Sequence, residues 1–534
     1  MVTSALVVGL AVAPIGALIA VAFGDSAGLW PHLVAYVLPA AVRDTLVLLA
    51  GVGVLTTAIG TGTAWLVARY SFPGHRTVAW ALLLPLAVPT YIIAYSYLDL
   101  LHPVGPVQSA LRALLGYDNP RDFRLADIRS MAGCIALLSL VLYPYVYLTT
   151  RALFVMQSAT LLEVARTLGC SEPAAFFRVA LPLARPGIAV GVSLALLEAL
   201  NDVGASEFLG VRTLTIAVYN TWITGSNLPG AAQIAMVMLI VILAVRLLEG
   251  YGRRLRRYTN DAQHPRPLRP QRLHGWRAGL ALAATATPVA LGFVIPASHL
   301  LGESVARVRW AGLSSALVSE TINTITVSVM ATAIALVAGV VVTYAARADR
   351  GWAPTLLMRL SALGYAVPGT VLAIGVLAIV TRIEAATDVT AQRLLGISTG
   401  IFLLGSGAAV VYAYVGRFLA IATGGLDAGF GRTAPSLDEA ARTLGETTWG
   451  RLRRLHLPLA RPAVVAATLL VLVDCMKELP ATLLLRPLGF ETLATHVYGE
   501  AARGTYEEGA IAALLIVAVG LVPVTVLARL GFEP

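Results

Sequence analysis

The stretch EVARTLGCSEPAAFFRVALPLARP runs from Glu163 to Pro186, and EAARTLGETTWGRLRRLHLPLARP runs from Glu439 to Pro462. The two copies stand 276 residues apart, need no gap, and share 13 of 24 positions. Both are too polar to lie in hydrocarbon. The rest of the chain is the opposite: 57% of its 534 residues are hydrophobic and only 13% charged, with a mean hydropathy of +0.78. A soluble domain carries about 25% charged residues, so the composition describes a polytopic membrane protein of all-α class.

Each copy encodes a bend. LLEVARTLG and LDEAARTLG are rich in helix formers, and Gly169 and Gly445 stand where a helix ends in a left-handed residue. Ser171 and Thr447 are placed to cap a second helix, with Pro173 tolerable in its first turn. Pro173, Phe176, Phe177 and Ala180 make an apolar stripe. Trp449, Leu452 and Leu455 make another beside Arg451, Arg453 and Arg454. Pro182 and Pro458 are expected to stop that helix, and Pro186 and Pro462 to open the next spans.

Windows of about 20 apolar residues predict some twelve spans. Six are centred near Ala13, Leu55, Pro89, Leu140, Val192 and Met238, and six near Thr287, Thr332, Leu372, Leu404, Leu470 and Ile516. The first reads as a membrane helix and not a cleaved signal, because no basic segment precedes it. An Arg- and Pro-rich linker at 249–276 divides a first repeat, 1–248, from a second, 277–534. Further echoes support the duplication: TLTIAVY from Thr213 with TLATHVY from Thr492, and LLPLAVPTY around Pro89 with LGYAVPGT around Pro368. Direct repeats of six spans keep equivalent loops on one side.

The net charge is +10, and Lys477 is the only lysine. In so apolar a chain the arginines mark cytoplasmic loops and not a nucleic-acid surface. The linker and both repeated elbows then lie inside, as do both termini. The opposite loops, such as 118–129, are short, so no domain for capturing a solute stands there. A phosphate-binding loop needs a glycine-flanked lysine, and Lys477 sits in VDCMKELP. Cys134, Cys170 and Cys475 are isolated, and no spacing suggests a stable metal site or a catalytic group.

The paired elbows resemble the EAA loops (163–186 and 439–462) of binding-protein-dependent ABC importer permeases, in the fused form with both MetI-like halves in one chain. The match is carried by Glu163, Ala165, Gly169, Leu181 and Pro182, and by Glu439, Ala440, Ala441, Gly445, Leu457 and Pro458; Val164 departs from the pattern. The resemblance implies a bacterial inner-membrane permease that docks two copies of an ATP-binding subunit, which hold the ATP and Mg. Phe176, Phe177, Trp449 and Leu452 would join the coupling surface. An extracytoplasmic binding protein would deliver the cargo, and membrane lipid would surround the chain. MKELPATLLLRPLGFETLATHVY (Met476–Tyr498) further resembles ferric iron permeases, with thiamine or another small solute as the alternative cargo. A secondary transporter also has two six-span repeats, but it has no need of two such elbows.

Four acids occupy equivalent positions near the ends of spans five and eleven: Glu198 and Asp202, Asp474 and Glu478. Spaced i, i+4, each pair is expected to share one helix face. Two readings stand. The acids are structural, with Lys477 neutralising one pair and the others capping broken helices; or they line the mouth of the cargo path, drawing a cation in without a resting site. Tyr143, Tyr145 and Tyr412 could add phenol oxygens there, or serve packing.

Overall fold

The computed structural model describes residues 1–156, 164–165, 167–254, 270–349, 351–431 and 433–532. Glu163 and most of the basic linker lie outside these residues. Among them, ten helices are long and apolar enough to cross a membrane, and two further candidates are bent helix pairs, giving up to twelve. The elements are helical apart from one pair of two-residue strands, Tyr70–Ser71 and Gln271–Arg272.

Two expected spans differ in detail. The one centred on Pro89 is broken by 93° between His75–Ala87 and Thr90–Leu100. Pro89 caps the second piece with extended backbone (ψ 149°), as Pro368 does for Gly369–Leu395 (ψ 147°). A proline disfavours helical geometry at the residue before it, so the chain must turn where VP occurs. The span expected near Leu404 instead occupies Ala408–Gly431, and Leu404 lies in the short helix Phe402–Gly405. Gly407, at φ +79°, makes the turn between them; hydrophobicity runs through that turn and conceals it.

The duplication is visible in repeated hydrogen bonds. The helix that follows each TLT-type motif begins with an amide donated to a threonine of a long helix: Leu214 N to Thr45 Oγ1 (2.9 Å) and Leu493 N to Thr324 Oγ1 (2.8 Å). Orphan donors at a helix start need such a partner.

The compact units cut across the repeats. One consists of Met1–Leu38, Ala217–Leu239 and Ala311–Gly499; the other of Pro39–Ile216, Ile240–Trp310 and Glu500–Pro534. In the first, helix Val2–Ala22 lies against Gly369–Leu395 so closely that a Cβ on Gly375 would fall 2.0 Å from the Pro14 carbonyl oxygen. In the second, a Cβ on Gly292 would fall 2.5 Å from the Leu140 carbonyl oxygen, and one on Gly520 2.4 Å from that of Ala87. Bare glycine backbone is what admits these approaches.

Candidate coupling elbows and the acids of the bundle

Gly169 and Gly445 adopt φ +84° and +81°. Beside them the amide of Cys170 donates to Ala165 O, and that of Glu446 to Ala441 O, both at 3.0 Å. These bonds reach back five residues and close a Schellman turn. The alanines therefore supply the carbonyls that the turn uses. Ser171 Oγ then accepts from Ala174 N (3.4 Å), and Thr447 Oγ1 from Gly450 N (3.0 Å), so both expected caps form.

Beyond the cap both elbows contain a π-helical turn, at Phe176–Ala180 and Leu452–His456. Pro182 and Pro458 do not stop the helix, contrary to expectation. Each sits in the first turn of the following segment. The wider π turn has already interrupted the i→i−4 ladder, so a residue without an N–H passes there. After it the copies diverge. Glu172–Asn201 runs on as one span through Pro186, whereas Thr448–Leu459 meets Arg461–Met476 at 78°. That break falls at Ala460, where Pro462 opens the next helix as expected.

The apolar stripes split into two faces. Phe176 packs on Trp65 with ring centroids 5.0 Å apart, and Ala180 is buried with it in one core cluster. Leu452 is buried with Tyr344, Phe430 and Ala460. Leu168 and Phe177 on one elbow, and Leu444 and Trp449 on the other, remain 65–83% exposed. Leu181, Leu457 and Pro182 are half-buried; Pro458 and Glu439 are exposed.

Different clamps hold the elbows to the bundle. Glu172 meets Arg69 at 3.7 Å and accepts from Tyr70 OH at 3.3 Å. In the second elbow, Asp438 gathers His456 Nε2 (2.8 Å), Arg347 Nη2 (3.0 Å) and Arg451 Nη1 (3.6 Å). Burial raises the Asp438 carboxyl, but the hydrogen bond and charge of His456 and the charge of Arg347 outweigh it and hold it below the ordinary range. Tyr344 OH adds a 2.6 Å bond to Thr448 O. Sequence reasoning missed this clamp. Its only signal was a histidine at the position where the first elbow has Ala180.

The four acids of the bundle do not pair along helix faces. The helix carrying Glu198 ends at Asn201, and the one carrying Asp474 ends at Met476. Asp202 and Glu478 therefore leave the helical register. Asp202 accepts from Ser206 N (2.7 Å), Ser206 Oγ (2.9 Å) and Thr90 Oγ1 (2.6 Å). Glu478 accepts from Ala481 N (3.1 Å) and Thr482 N (3.2 Å), with Arg417 Nη1 at 3.9 Å. Both carboxylates thus cap short helices, Gly204–Phe208 and Pro480–Leu485. Where the first repeat has Thr90, the second has Gly369, whose Cβ would stand 2.5 Å from Glu478 Oε1 and 2.7 Å from Arg417 Nη1. The missing side chain makes room for the arginine. Asp474 is paired with Lys477 at 2.7 Å, and Glu198 is half-buried. Tyr143 is fully buried in a core cluster, Tyr145 is half-buried, and Tyr412 OH donates to Leu10 O at 2.7 Å beside an apolar cavity of about 610 Å³.

Comparison with known proteins places this architecture. The family described as binding-protein-dependent transport system inner membrane component matches twice, over residues 57–257 and 331–530. An Fe(3+)-transport system permease protein of Haemophilus influenzae is 24% identical over 92% of this chain and 90% of its own. A probable ABC transporter permease protein of Sinorhizobium fredii is 22% identical over 92% of this chain and 88% of its own. The molybdenum transport system permease protein of Escherichia coli is 28% identical but covers 36% of this chain and 84% of its own. With two copies of the family's domain on a polytopic helical scaffold, the chain belongs to the binding-protein-dependent ABC importer permeases.

Proposed function

We propose that this chain is the membrane subunit of a ferric iron importer of the bacterial inner membrane, with both termini and both elbows cytoplasmic. Two ATP-binding subunits, holding ATP and Mg, dock on the elbows, one on each. An extracytoplasmic binding protein presents the cargo to the opposite face. The observation that carries the coupling role is the pair of elbows: one turn geometry used twice, each with an exposed apolar edge (Leu168 and Phe177; Leu444 and Trp449) on a buried seat. Large aromatic side chains such as Trp449 and Phe177 serve as anchors in a partner's pocket, and the leucines beside them add apolar contact area. Glu439 stands exposed on the second elbow, and Glu163 occupies the same place in the repeat. The half-buried residues Leu181, Pro182 and Leu457, with Pro458, set the angle at which each elbow leaves the membrane.

The iron reading is supported by the Haemophilus influenzae relative, which corresponds over nearly the whole length of both chains. The molybdenum permease of Escherichia coli corresponds to only 36% of this chain. The chain reconstituted in vesicles with its ATPase, and given binding protein loaded in turn with ferric iron, molybdate and thiamine, tests the cargo. ATP-dependent accumulation of iron alone is the expected result. Accumulation of another solute in its place refutes the iron reading and leaves the coupling role standing.

A further inference from the structure

The unit containing residues 39–216, 240–310 and 500–534 brings together Asp99, His299 and Glu303. One ligating atom from each lies within 4.8 Å of the other two. Asp99 is next to last in helix Thr90–Leu100, and His299 and Glu303 stand four apart on Ile295–Ala311, which puts both on one face. His299 Nε2 lies 2.8 Å from Asp99 Oδ2, and its side chain is only 10% exposed. Glu303 is half-buried and has no hydrogen-bond or ion-pair partner among the described residues.

The surroundings do not supply that partner. Arg307, one turn further along the helix, turns its Nε (2.9 Å) and Nη2 (2.8 Å) to Glu508, and its buried Nη1 meets no acceptor among the described residues, Glu303 included. Tyr95, on the facing helix, donates its hydroxyl to Tyr506 O. Glu303 is thus a partly desolvated carboxylate beside a second carboxylate and an imidazole, and Arg307 makes no ion pair with it. Burying a charge without a counter-charge is unfavourable, and a cation shared by all three groups removes the conflict.

We propose that Asp99, His299 and Glu303 bind a divalent first-row transition metal ion that ties helix Thr90–Leu100 to helix Ile295–Ala311. One imidazole nitrogen with two carboxylates suits Zn²⁺, Mn²⁺ or Fe²⁺. Mg²⁺ and Ca²⁺ favour all-oxygen sets. The two carboxylates match the charge of the ion. Metal–ligand bonds of about 2.0–2.2 Å place ligand atoms at most roughly 4.4 Å apart, so a small torsion of the unpartnered Glu303 closes the site.

The position also suits access. From Gly275, where the helix begins beside the basic linker, to His299 is about 36 Å at 1.5 Å per residue. The hydrocarbon core is about 30 Å thick. The trio therefore stands at the membrane face opposite the linker, within reach of ions in solution. Nothing local in the chain announces this site, because Asp99 lies 200 residues from its partner His299 and an i, i+4 His/Glu pair alone is common.

The test is a Co²⁺ titration of the full-length chain in detergent, without ATPase or binding protein. Wild type should bind one Co²⁺ per chain with a visible ligand-field band that Zn²⁺ displaces. Glu303→Gln loses one anionic ligand and no existing contact, and it should bind at least about tenfold more weakly, since removal of even outer-shell partners costs 10–100-fold. His299→Ala should lose the band. Absence of saturable Co²⁺ binding by wild type, or equal affinity in Glu303→Gln, overturns the site and leaves Asp99–His299 a simple ion pair. Because the readout is binding to the resting chain, neither result depends on the identity of the cargo.

Discussion

Replacing Gly445 by valine isolates the contribution of one backbone angle. No atom lies within 4 Å of a Cβ added at Gly445 or at Gly169, so neither substitution meets a steric clash. What remains is the left-handed conformation, φ +81° at Gly445. That conformation costs an L-residue about 1–2 kcal/mol, and more when the side chain is β-branched. Such a penalty is a factor of roughly 5–30 in an equilibrium constant. If the bent elbow is the form that the ATPase binds, Gly445→Val should weaken capture of the ATPase by about that factor. Substrate-stimulated ATP hydrolysis should fall with it, and the chain should still insert. Gly424, which also has open space around it but lies within helix Ala408–Gly431, is the control: Gly424→Ala should leave both unchanged. The assay is ATPase-subunit binding to the permease in nanodiscs, followed by hydrolysis with loaded binding protein. Wild-type affinity and stimulation in both Gly169→Val and Gly445→Val would refute the argument that the bend carries coupling.

Native mass measurement of the assembled transporter should find one copy of this chain with two ATP-binding subunits; a complex holding two copies of the chain would overturn the one-elbow-per-ATPase arrangement. Glu198→Gln combined with Asp474→Asn should slow iron uptake while ATPase docking persists, and unchanged uptake would return both acids to a structural role. Asp438→Asn should lower thermal stability at pH 7. The Asp438 carboxyl is held below its ordinary value, so its contribution is complete above the usual Asp pKa of about 3.9 and disappears as pH falls through the lowered value. The stability difference between wild type and variant, followed by thermal unfolding across pH, should therefore persist to pH 5 and close only below about 4; closure already between pH 7 and 5 would contradict this.

What the sequence disclosed was local. The glycine turns, the Ser171 and Thr447 caps and the repeat of the TLT-type helices each depend on residues within a few positions, and each formed. The acids show where local reasoning stops. A spacing of i, i+4 puts Glu198 beside Asp202 only while the helix continues, and it ends at Asn201 because the Asp202 carboxylate serves the next helix instead. The Asp438 clamp draws Arg347 from 91 residues away, and no periodicity reports a partner at that separation. The 93° break before Thr90 was spelled by a proline, yet the window that found the span averaged across it. Tyr143 was equally ambiguous: a tyrosine in an apolar run can serve a path or a core, and only its burial with Tyr147 and Phe154 makes it core.

The exchange of segments between the repeats has a consequence in time. A chain emerges from the ribosome in order, yet the unit built on residues 39–216 also requires 240–310 and 500–534, and the unit built on 311–499 requires residues 1–38. Helix Val2–Ala22 gains a first partner in residues 217–239, where Gln233 donates to Ala22 O, but must wait for residues 311–499 before its unit is complete; the unit begun at Pro39 is finished last. Throughout that interval Pro39–Ile216 lacks its closing helix. At that stage the faces of Pro39–Ile216 that residues 500–534 later cover are still bare. Once Gly499 has left the ribosome, one unit has all its segments and the other still lacks 500–534.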